Sequence, residues 1–195
     1  MSTAHEKPAT YHPKRPVAVL DACVLFPNYV RDVFLSVAKS EVYHPKWSLE
    51  IQQEWTNNLE KKFMGVNPDS LRRTVALMNN HFPDALTSID RALTKGMVLP
   101  DINDLHVLSC AIAARATYLV TFNLRDFPSS VLQPLDIRAI HPDDFLIHLR
   151  TLNQLGVEEA IQAMLQRLKK PPLDPILLAD KLKASNLPKF AQTLY

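Results

Sequence analysis

The stretch Val17-Ala18-Val19-Leu20-Asp21 decides the fold. Its four apolar residues form a short run of the kind that fills a strand buried on both faces of a sheet. An aspartate follows the run directly, so a charged group stands at the carboxyl end of the strand. The stretch therefore predicts a buried strand with an acidic side chain at its end.

Two later runs repeat this pattern, at residues 118–121 and 137–140, and a brief run at 42–44 is a weaker candidate. Between the runs, apolar residues recur at helical spacing. Helices are predicted over residues 31–39, from an N-cap at Ser48 to residue 63, from Pro68 to residue 81, over 89–94, over 104–115, and from residue 141 onward. Strands that alternate with helices predict an α/β fold with a central parallel sheet flanked by helices.

The chain has 195 residues and 47% hydrophobic content, which is enough to bury one substantial core but does not promise two. We expect a flexible N-terminal segment at residues 1–16, a main domain at 17–150 and a C-terminal helical extension at 151–195. The extension carries an apolar helical face, made of Val157, Ile161, Met164, Leu165 and Leu168. Packing of this face on its own domain and binding of a partner protein are both open.

Composition excludes several classes of protein. Lysine and arginine total 22 against 20 aspartates and glutamates, so the strong basic field that drives non-specific binding of nucleic acids is absent. Cys23 and Cys110 form neither a metal-ligand spacing nor a disulfide framework, which suits a reducing compartment. The N-terminus lacks the apolar core of a signal peptide, and no apolar stretch is long enough for a membrane span. We expect a soluble, cytoplasmic protein without a membrane anchor.

Four acidic residues are candidates for a common site, namely Asp21, Glu54, Asp104 and Asp126. Loops at the carboxyl ends of parallel strands converge on one edge of the sheet, so Asp21 and the loop after the strand at 118–121 can meet there. Carboxylates packed closely repel one another and raise one another's pKa, so a stable cluster implies a compensating cation. Ligands that are all oxygen favour Mg²⁺ or Mn²⁺.

Each of these residues also has a structural explanation. Asp21 can serve as a turn residue, and Glu54 can lie on a solvated helix face. Asp101 and Asp104 have the spacing of a capping box, and Asp126 can cap a helix or lie in a loop. Spacing alone leaves the choice between these functions open.

Other polar residues offer no better site. His106 and His141 have no mutual metal spacing and are interpreted as structural. Cys23 has no basic residue beside it in sequence, so it is interpreted as a small buried hydrophobe rather than a nucleophile.

Five blocks of sequence resemble the PIN-domain family in both order and spacing, and the similarity is strongest to bacterial PIN proteins of the toxin–antitoxin type. The similarity covers roughly residues 17 to 146. The blocks are Leu20-Asp21-Ala22-Cys23-Val24-Leu25-Phe26-Pro27, Trp47-Ser48 with Glu54-Trp55, Leu99-Pro100-Asp101-Ile102-Asn103-Asp104-Leu105-His106-Val107, Val120-Thr121-Phe122-Asn123-Leu124-Arg125-Asp126-Phe127-Pro128, and His141-Pro142-Asp143-Asp144-Phe145-Leu146.

The resemblance implies a Rossmann-like, three-layer PIN domain that cleaves RNA, with Asp21, Glu54, Asp104 and Asp126 as catalytic residues that bind one or two divalent ions. Supporting roles fall to Thr121, Asn123 and Asp101. Many relatives carry aspartate where this chain has Asn123, so the fourth ligand is either Asn123 or Asp126. Arg31 resembles a recurring arginine of this subgroup, and both a contact to RNA phosphate and a surface ion pair are open for it.

The implied activity is that of an endoribonuclease dependent on Mg²⁺ or Mn²⁺, which acts as the toxin of a toxin–antitoxin pair. RNA is then the substrate, an antitoxin protein is the partner, and a homodimer is a further expectation. Metal-assisted hydrolysis is favoured because no pair of histidines is placed to transfer protons. The alternative is a PIN-fold module that binds RNA or protein without catalysis. Phosphatases that use an aspartate nucleophile after a strand need a second aspartate two residues later, where this chain has Cys23.

Overall fold

The computed structural model describes residues 15–168 and 172–195. Most of the N-terminal segment that was predicted to be flexible, residues 1–14, lies outside the described residues. Three residues of the predicted break in the extension, 169–171, also lie outside them. At the start of the described chain, Arg15 forms an ion pair with Glu41 at 2.9 Å.

The centre of the molecule is a four-stranded sheet in the order β2-β1-β3-β4, in which every neighbouring pair is parallel. The strands are β1 (Val17–Leu20), β2 (His44–Lys46), β3 (Tyr118–Val120) and β4 (Arg138–Ile140). Leu20 of β1 is in register with Val120 of β3, so both strands end at the same level. The predicted Rossmann-like α/β fold with a parallel sheet is confirmed.

Ten α-helices occur among the described residues. They are α1 (Ala22–Leu25), α2 (Asn28–Lys39), α3 (Leu49–Lys62), α4 (Pro68–His81), α5 (Leu105–Ala113), α6 (Ser129–Leu132), α7 (Pro142–Leu152), α8 (Gln154–Arg167), α9 (Pro175–Ala184) and α10 (Pro188–Ala191). Single 3₁₀ turns connect several of them, at Pro83–Ala85, Arg91–Thr94, Ile102–Asp104, Leu124–Asp126, Gln133–Leu135 and Gln192–Leu194. None of the helices in this part of the chain is both long and apolar enough to cross a bilayer.

Local signals located most helices well. Ser48 caps α3 as predicted, because its hydroxyl accepts a hydrogen bond from the Ile51 N–H at 3.2 Å. The helix predicted over 104–115 ends at Ala113 because Arg115 adopts a left-handed conformation with φ of 49°. The helix predicted over 89–94 is only the 3₁₀ turn Arg91–Thr94.

The second strand lies two residues later than predicted. Val42 and Tyr43 do not pair with β1, and both are buried against α2 instead. The Tyr43 hydroxyl donates a hydrogen bond to the Phe34 carbonyl at 3.1 Å, and its ring meets Phe145 edge to face. Val42 and Tyr43 therefore fill the core, and the less apolar His44–Lys46 forms the strand.

The C-terminal helices pack on the main body of the protein. The apolar face of α8 is largely buried against α2, including Val157, Ile161 and Met164. The carboxylate of Asp143, at the start of α7, accepts hydrogen bonds from the backbone N–H groups of Lys189 and Phe190 at 2.9 and 2.8 Å. These bonds attach α10 to the main body.

Candidate active site

The two central strands define a crevice at the carboxyl edge of the sheet. From β1 the chain passes to β2 on one side, and it later reaches β3 on the other side of β1. At such a reversal the connections leave in opposite directions, and ligands of open α/β sheets bind in the crevice that results. Asp21 follows β1 at this point and Thr121 follows β3.

Asp21 is almost fully buried, with 5% of its surface exposed. Its carboxylate accepts hydrogen bonds from the Thr121 hydroxyl at 2.7 Å and from the Cys23 thiol at 3.1 Å. Burial raises the pKa of Asp21, and the charge of Glu54 adds to this effect, although the hydrogen bonds oppose it. No Lys, Arg or His side chain of the described chain lies within 4 Å of this carboxylate. A buried carboxylate without a cation is costly for the fold, so its position needs a functional reason.

Thr121 and Cys23 hold Asp21 in place. The Thr121 hydroxyl, fully buried, donates to Asp21 and also accepts from the Asn123 backbone N–H at 3.0 Å. The Cys23 sulfur accepts from the Phe122 N–H at 3.4 Å. Burial and the charge of Asp21 raise the pKa of the thiol, so Cys23 stays protonated and acts as a donor. Cys23 thus contacts the site directly, which its interpretation as a small hydrophobe did not include.

Asp104 is the N-cap residue of α5. Burial, and to a smaller extent the charges of Asp21, Asp101, Asp126 and Glu54, together raise its pKa to about 7. These charge effects indicate that the carboxylates lie in the same part of the molecule. We call Asp21, Glu54, Asp104 and Asp126 the acidic cluster, and its role as a common site stays a prediction.

The capping question left open by the sequence has a clear answer in the structure. Asp101 caps the 3₁₀ turn Ile102–Asp104, because its side chain accepts from the Asn103 N–H at 2.9 Å. Asp104 occupies the N-cap position of α5, but its side chain makes no capping hydrogen bond. The Asp104 carboxylate is therefore free to bind a ligand.

Glu54 lies on α3 and faces His106 of α5, with 3.3 Å between a carboxylate oxygen and Nε2. Burial lowers the pKa of His106, but the hydrogen bond and charge of Glu54 outweigh it, and the net shift is upward. The other ring nitrogen, Nδ1, is buried and has no hydrogen-bond partner among the described residues. From the sequence, His106 was interpreted as structural because no second histidine stands at a metal-ligand spacing from it. The useful signal was its place two residues after Asp104, in the first turn of α5.

The loop after β3 carries the two candidates for a fourth ligand. Asp126, in the turn Leu124–Asp126, is half-buried, and its charge contributes to the raised pKa of Asp104. Asn123 is exposed, and its side chain forms no hydrogen bond within the described structure. Charge and burial thus link Asp126, rather than Asn123, to the acidic cluster.

Arg31 of α2 contacts both α3 and the end of α1. Its guanidinium stacks on the Trp55 ring at 4.7 Å from the centroid and donates to the Leu25 carbonyl at 2.6 Å. Burial lowers its pKa, and in the described chain no carboxylate lies within 4 Å of it. The ion pair considered from the sequence is absent there, and the contacts of Arg31 favour a role in packing α2 against α3.

The donor set fits a divalent cation in chemistry, although it is not a finished coordination shell. Within residues 15–168 and 172–195, no three Asp, Glu, His or Cys side chains are already close enough to hold an ion together. The candidate ligands are carboxylate oxygens, which are the ligands that Mg²⁺ and Mn²⁺ prefer. Asp104 holds a proton up to a pH of about 7, and a bound cation would replace that proton.

The fold and the cluster together define a class. A parallel sheet in the order β2-β1-β3-β4, with the buried Asp21 carboxylate where the strand order reverses, resembles the PIN-like class of α/β domains. The C-terminal helices extend this domain.

Comparisons with known proteins agree with this class. The profile of the VapC50 C-terminal domain family matches residues 142–195. A protein of Mycobacterium tuberculosis (strain ATCC 25618 / H37Rv) named "Putative ribonuclease VapC50" is 34% identical over 117 residues. That alignment covers 60% of this chain and 57% of the relative. No solved structure matches the chain significantly. These findings confirm the resemblance to toxin-type PIN-domain ribonucleases.

Proposed function

We propose that this protein is a metal-dependent endoribonuclease that hydrolyses RNA phosphodiester bonds. The observation that carries the proposal is the buried Asp21 carboxylate at the carboxyl end of β1, which has no Lys, Arg or His side chain of the described residues within 4 Å. The charges of Asp21, Glu54, Asp101 and Asp126 also add to the effect of burial in raising the pKa of Asp104. Natural proteins tolerate such repulsion where it serves a function. The printed name of the relative, a ribonuclease, supports the choice of substrate.

In this proposal Asp21, Glu54, Asp104 and Asp126 hold Mg²⁺ or Mn²⁺. When bound, a divalent cation offsets the negative charge of the phosphodiester and lowers the pKa of a water molecule. We propose Asp126 as the fourth ligand rather than Asn123, because its charge already acts on Asp104. Asn123 and Asp101 then shape the loops around the site.

The chain's own residues fix the geometry of this site. Thr121 and Cys23 donate to one oxygen of Asp21, Oδ2, which leaves the other oxygen to a ligand. His106 positions Glu54 from α5. Among the described residues, no arginine or lysine lies within 4 Å of the four carboxylates, so none competes with a bound cation for them.

We further propose that the protein is the toxin of a toxin–antitoxin pair in the cytoplasm. The similarity to a VapC50 relative and its C-terminal domain supports this role. The division into a nuclease domain at 17–150 and an extension at 151–195 belongs to the same proposal, as does a homodimer. Co-expression with the product of the neighbouring reading frame should yield a complex and restore growth. Growth inhibition that this product does not relieve would count against the pairing.

The nuclease proposal is tested with purified protein and a labelled RNA. We expect cleavage in Mg²⁺ or Mn²⁺, no cleavage in EDTA, and 5′ phosphates on the new ends. Asp21→Asn should abolish cleavage without unfolding the protein, since asparagine can still accept the Thr121 hydrogen bond. The matched control is Asp136→Asn, an exposed position in a left-handed conformation that asparagine tolerates. RNA binding without cleavage in any divalent ion would favour the alternative, a non-catalytic module.

A further inference from the structure

A groove of about 800 Å³ adjoins the acidic cluster. It runs between the turn Arg91–Thr94 and the start of α5, and Arg91, Lys95, Ile102 and His106 are among the residues that line it. His106 is the link to the site, since its Nε2 lies 3.3 Å from Glu54. Asn103 and Leu105, the two neighbours of Asp104 in sequence, also line the groove. The groove therefore borders the acidic cluster through His106 and the two neighbours of Asp104.

Two cationic side chains, Arg91 and Lys95, line the groove. Arg91 and Lys95 are both exposed, and in the described structure neither has a carboxylate within 4 Å. Glu50 is the one carboxylate among the lining residues. Two unpaired cations beside a cluster of carboxylates suit a polyanion whose reacting phosphate lies at the carboxylates and whose neighbouring phosphates lie at Arg91 and Lys95.

The two cations are held by a fixed turn rather than by a loose loop. The Ser109 hydroxyl of α5 donates to the Asp90 carbonyl at 2.8 Å, and the Asp90 side chain accepts from the Ala92 N–H at 2.8 Å. Gly96, with φ of +81°, allows the sharp exit of the chain after Lys95. Since α5 also carries His106, the Ser109 hydrogen bond attaches the turn to the same helix that contacts Glu54.

Exposed apolar side chains accompany the cations. Ile102, in the groove, is 72% exposed, and Val98, just beyond Lys95 in sequence, is 81% exposed. Base faces are available to apolar side chains only in single strands, because bases in a duplex stack on one another. This combination favours a single strand over a duplex.

We propose that this groove binds the single-stranded RNA next to the cleaved bond, with Arg91 and Lys95 as phosphate contacts and Ile102 as a base contact. The inference rests on the proposed nuclease function and names its substrate class. It assigns phosphate recognition to Arg91 and Lys95, which take no part in the acidic cluster.

A binding experiment tests the groove independently of cleavage. A fluorescein-labelled 12-nucleotide RNA is titrated in EDTA against Asp21→Asn protein at several salt concentrations, with anisotropy as the readout. The double substitution Arg91→Gln and Lys95→Gln should weaken binding about tenfold and reduce the slope of log Kd against log salt by about 1.4, or about 0.7 for each lost phosphate contact. The control double substitution, Lys39→Gln and Arg73→Gln, removes the same charge from exposed positions outside the groove and should leave the slope unchanged.

Equal effects of the two double substitutions on RNA affinity and on the salt slope would overturn the assignment of the groove as an RNA-binding site. Ile102→Ser should weaken single-strand binding about threefold without changing the salt slope, since it removes no charge. Competition by duplex RNA of the same length as strong as that of the single strand would overturn the single-strand assignment. Competition by poly-glutamate as strong as that of RNA would show a general anion surface and overturn the proposal.

Cleavage separates this inference from the proposed function. In the otherwise native protein, the groove substitutions should raise KM more than they lower kcat, because the contacts they remove lie away from the reacting bond. If the native protein cleaves no RNA but the binding differences persist, the nuclease proposal fails, and the assignment of the groove as an RNA-binding site is supported. If cleavage occurs and KM does not respond to the groove substitutions, the assignment of the groove as an RNA-binding site fails, and the nuclease proposal is supported.

Discussion

Asp104→Asn is expected to stabilise the metal-free protein while it removes nuclease activity. The substitution keeps the size of the side chain and removes one charge from the acidic cluster. Asp104 makes no capping hydrogen bond that would be lost. The protein should therefore unfold at a higher temperature without the charge than with it, which is the usual trade between stability and function at an active site.

The size of the effect follows from the pKa. A shift from 3.8 to about 7 corresponds to about 4 kcal/mol for a fully buried group, at about 1.36 kcal/mol for each pKa unit. Because Asp104 is only about half-buried, solvent screening reduces this to about 1–2 kcal/mol. For a chain of this size, 1 kcal/mol changes Tm by about 2–4 °C. We expect an increase in Tm of about 2–8 °C at pH 8 in EDTA.

The sign depends on pH in a defined way. The pKa of Asp104 is raised in the folded state, so the folded protein holds more protons than the unfolded chain between pH 4 and about 7. The stability contribution of this group is complete below the unfolded pKa and is lost as the pH rises through about 7. The difference in Tm between Asp104→Asn and the native protein should therefore be largest at pH 8 and small at pH 4.5.

Thermal unfolding followed by circular dichroism, at pH 4.5 and pH 8 and with or without Mg²⁺, measures all of these effects. Mg²⁺ should raise the Tm of the native protein and raise that of the variant less, because the variant lacks one ligand. Asp136→Asn, which changes an exposed carboxylate, serves as the control. An unchanged or lower Tm for Asp104→Asn at pH 8, or a difference that does not depend on pH, would refute the repulsion on which the site rests.

Three further predictions concern other parts of the structure. Asp143→Ala should lower the free energy of unfolding by about 2–4 kcal/mol, seen in urea denaturation, because it leaves two N–H groups of α10 without their acceptor; Asp144→Ala, at an exposed ion pair with Lys189, should cost less than about 1 kcal/mol. Thr121→Val should reduce kcat about tenfold, corresponding to about 1.4 kcal/mol, because Asp21 loses its shortest hydrogen bond; an unchanged kcat would remove Thr121 from the site, and Thr121→Ser should restore activity. Removal of divalent ions with EDTA should stop cleavage, and Mg²⁺ or Mn²⁺ should restore it, whereas full activity in EDTA would contradict the metal requirement.

Local patterns in the sequence determined the position of β1, the placement of Asp21 at its end and the N-cap of α3. These features depend on the order of apolar and polar residues and on hydrogen bonds within one turn, both of which can be read from neighbouring positions. The order of the motif blocks also sufficed to predict the PIN-like class. The parallel sheet followed from the alternation of strands and helices.

Tertiary structure decided the remaining questions, because they depend on contacts between distant residues. Asp104 could be a cap or a ligand until its surroundings were known, since its pKa depends on its burial and on carboxylates that include those of other elements. His106 joined the site only when α5 packed beside α3. Asp143 was expected only to begin a helix, yet it binds backbone groups 46 and 47 residues away. Burial and charge at such positions are properties of the folded molecule, and short segments of sequence do not contain them.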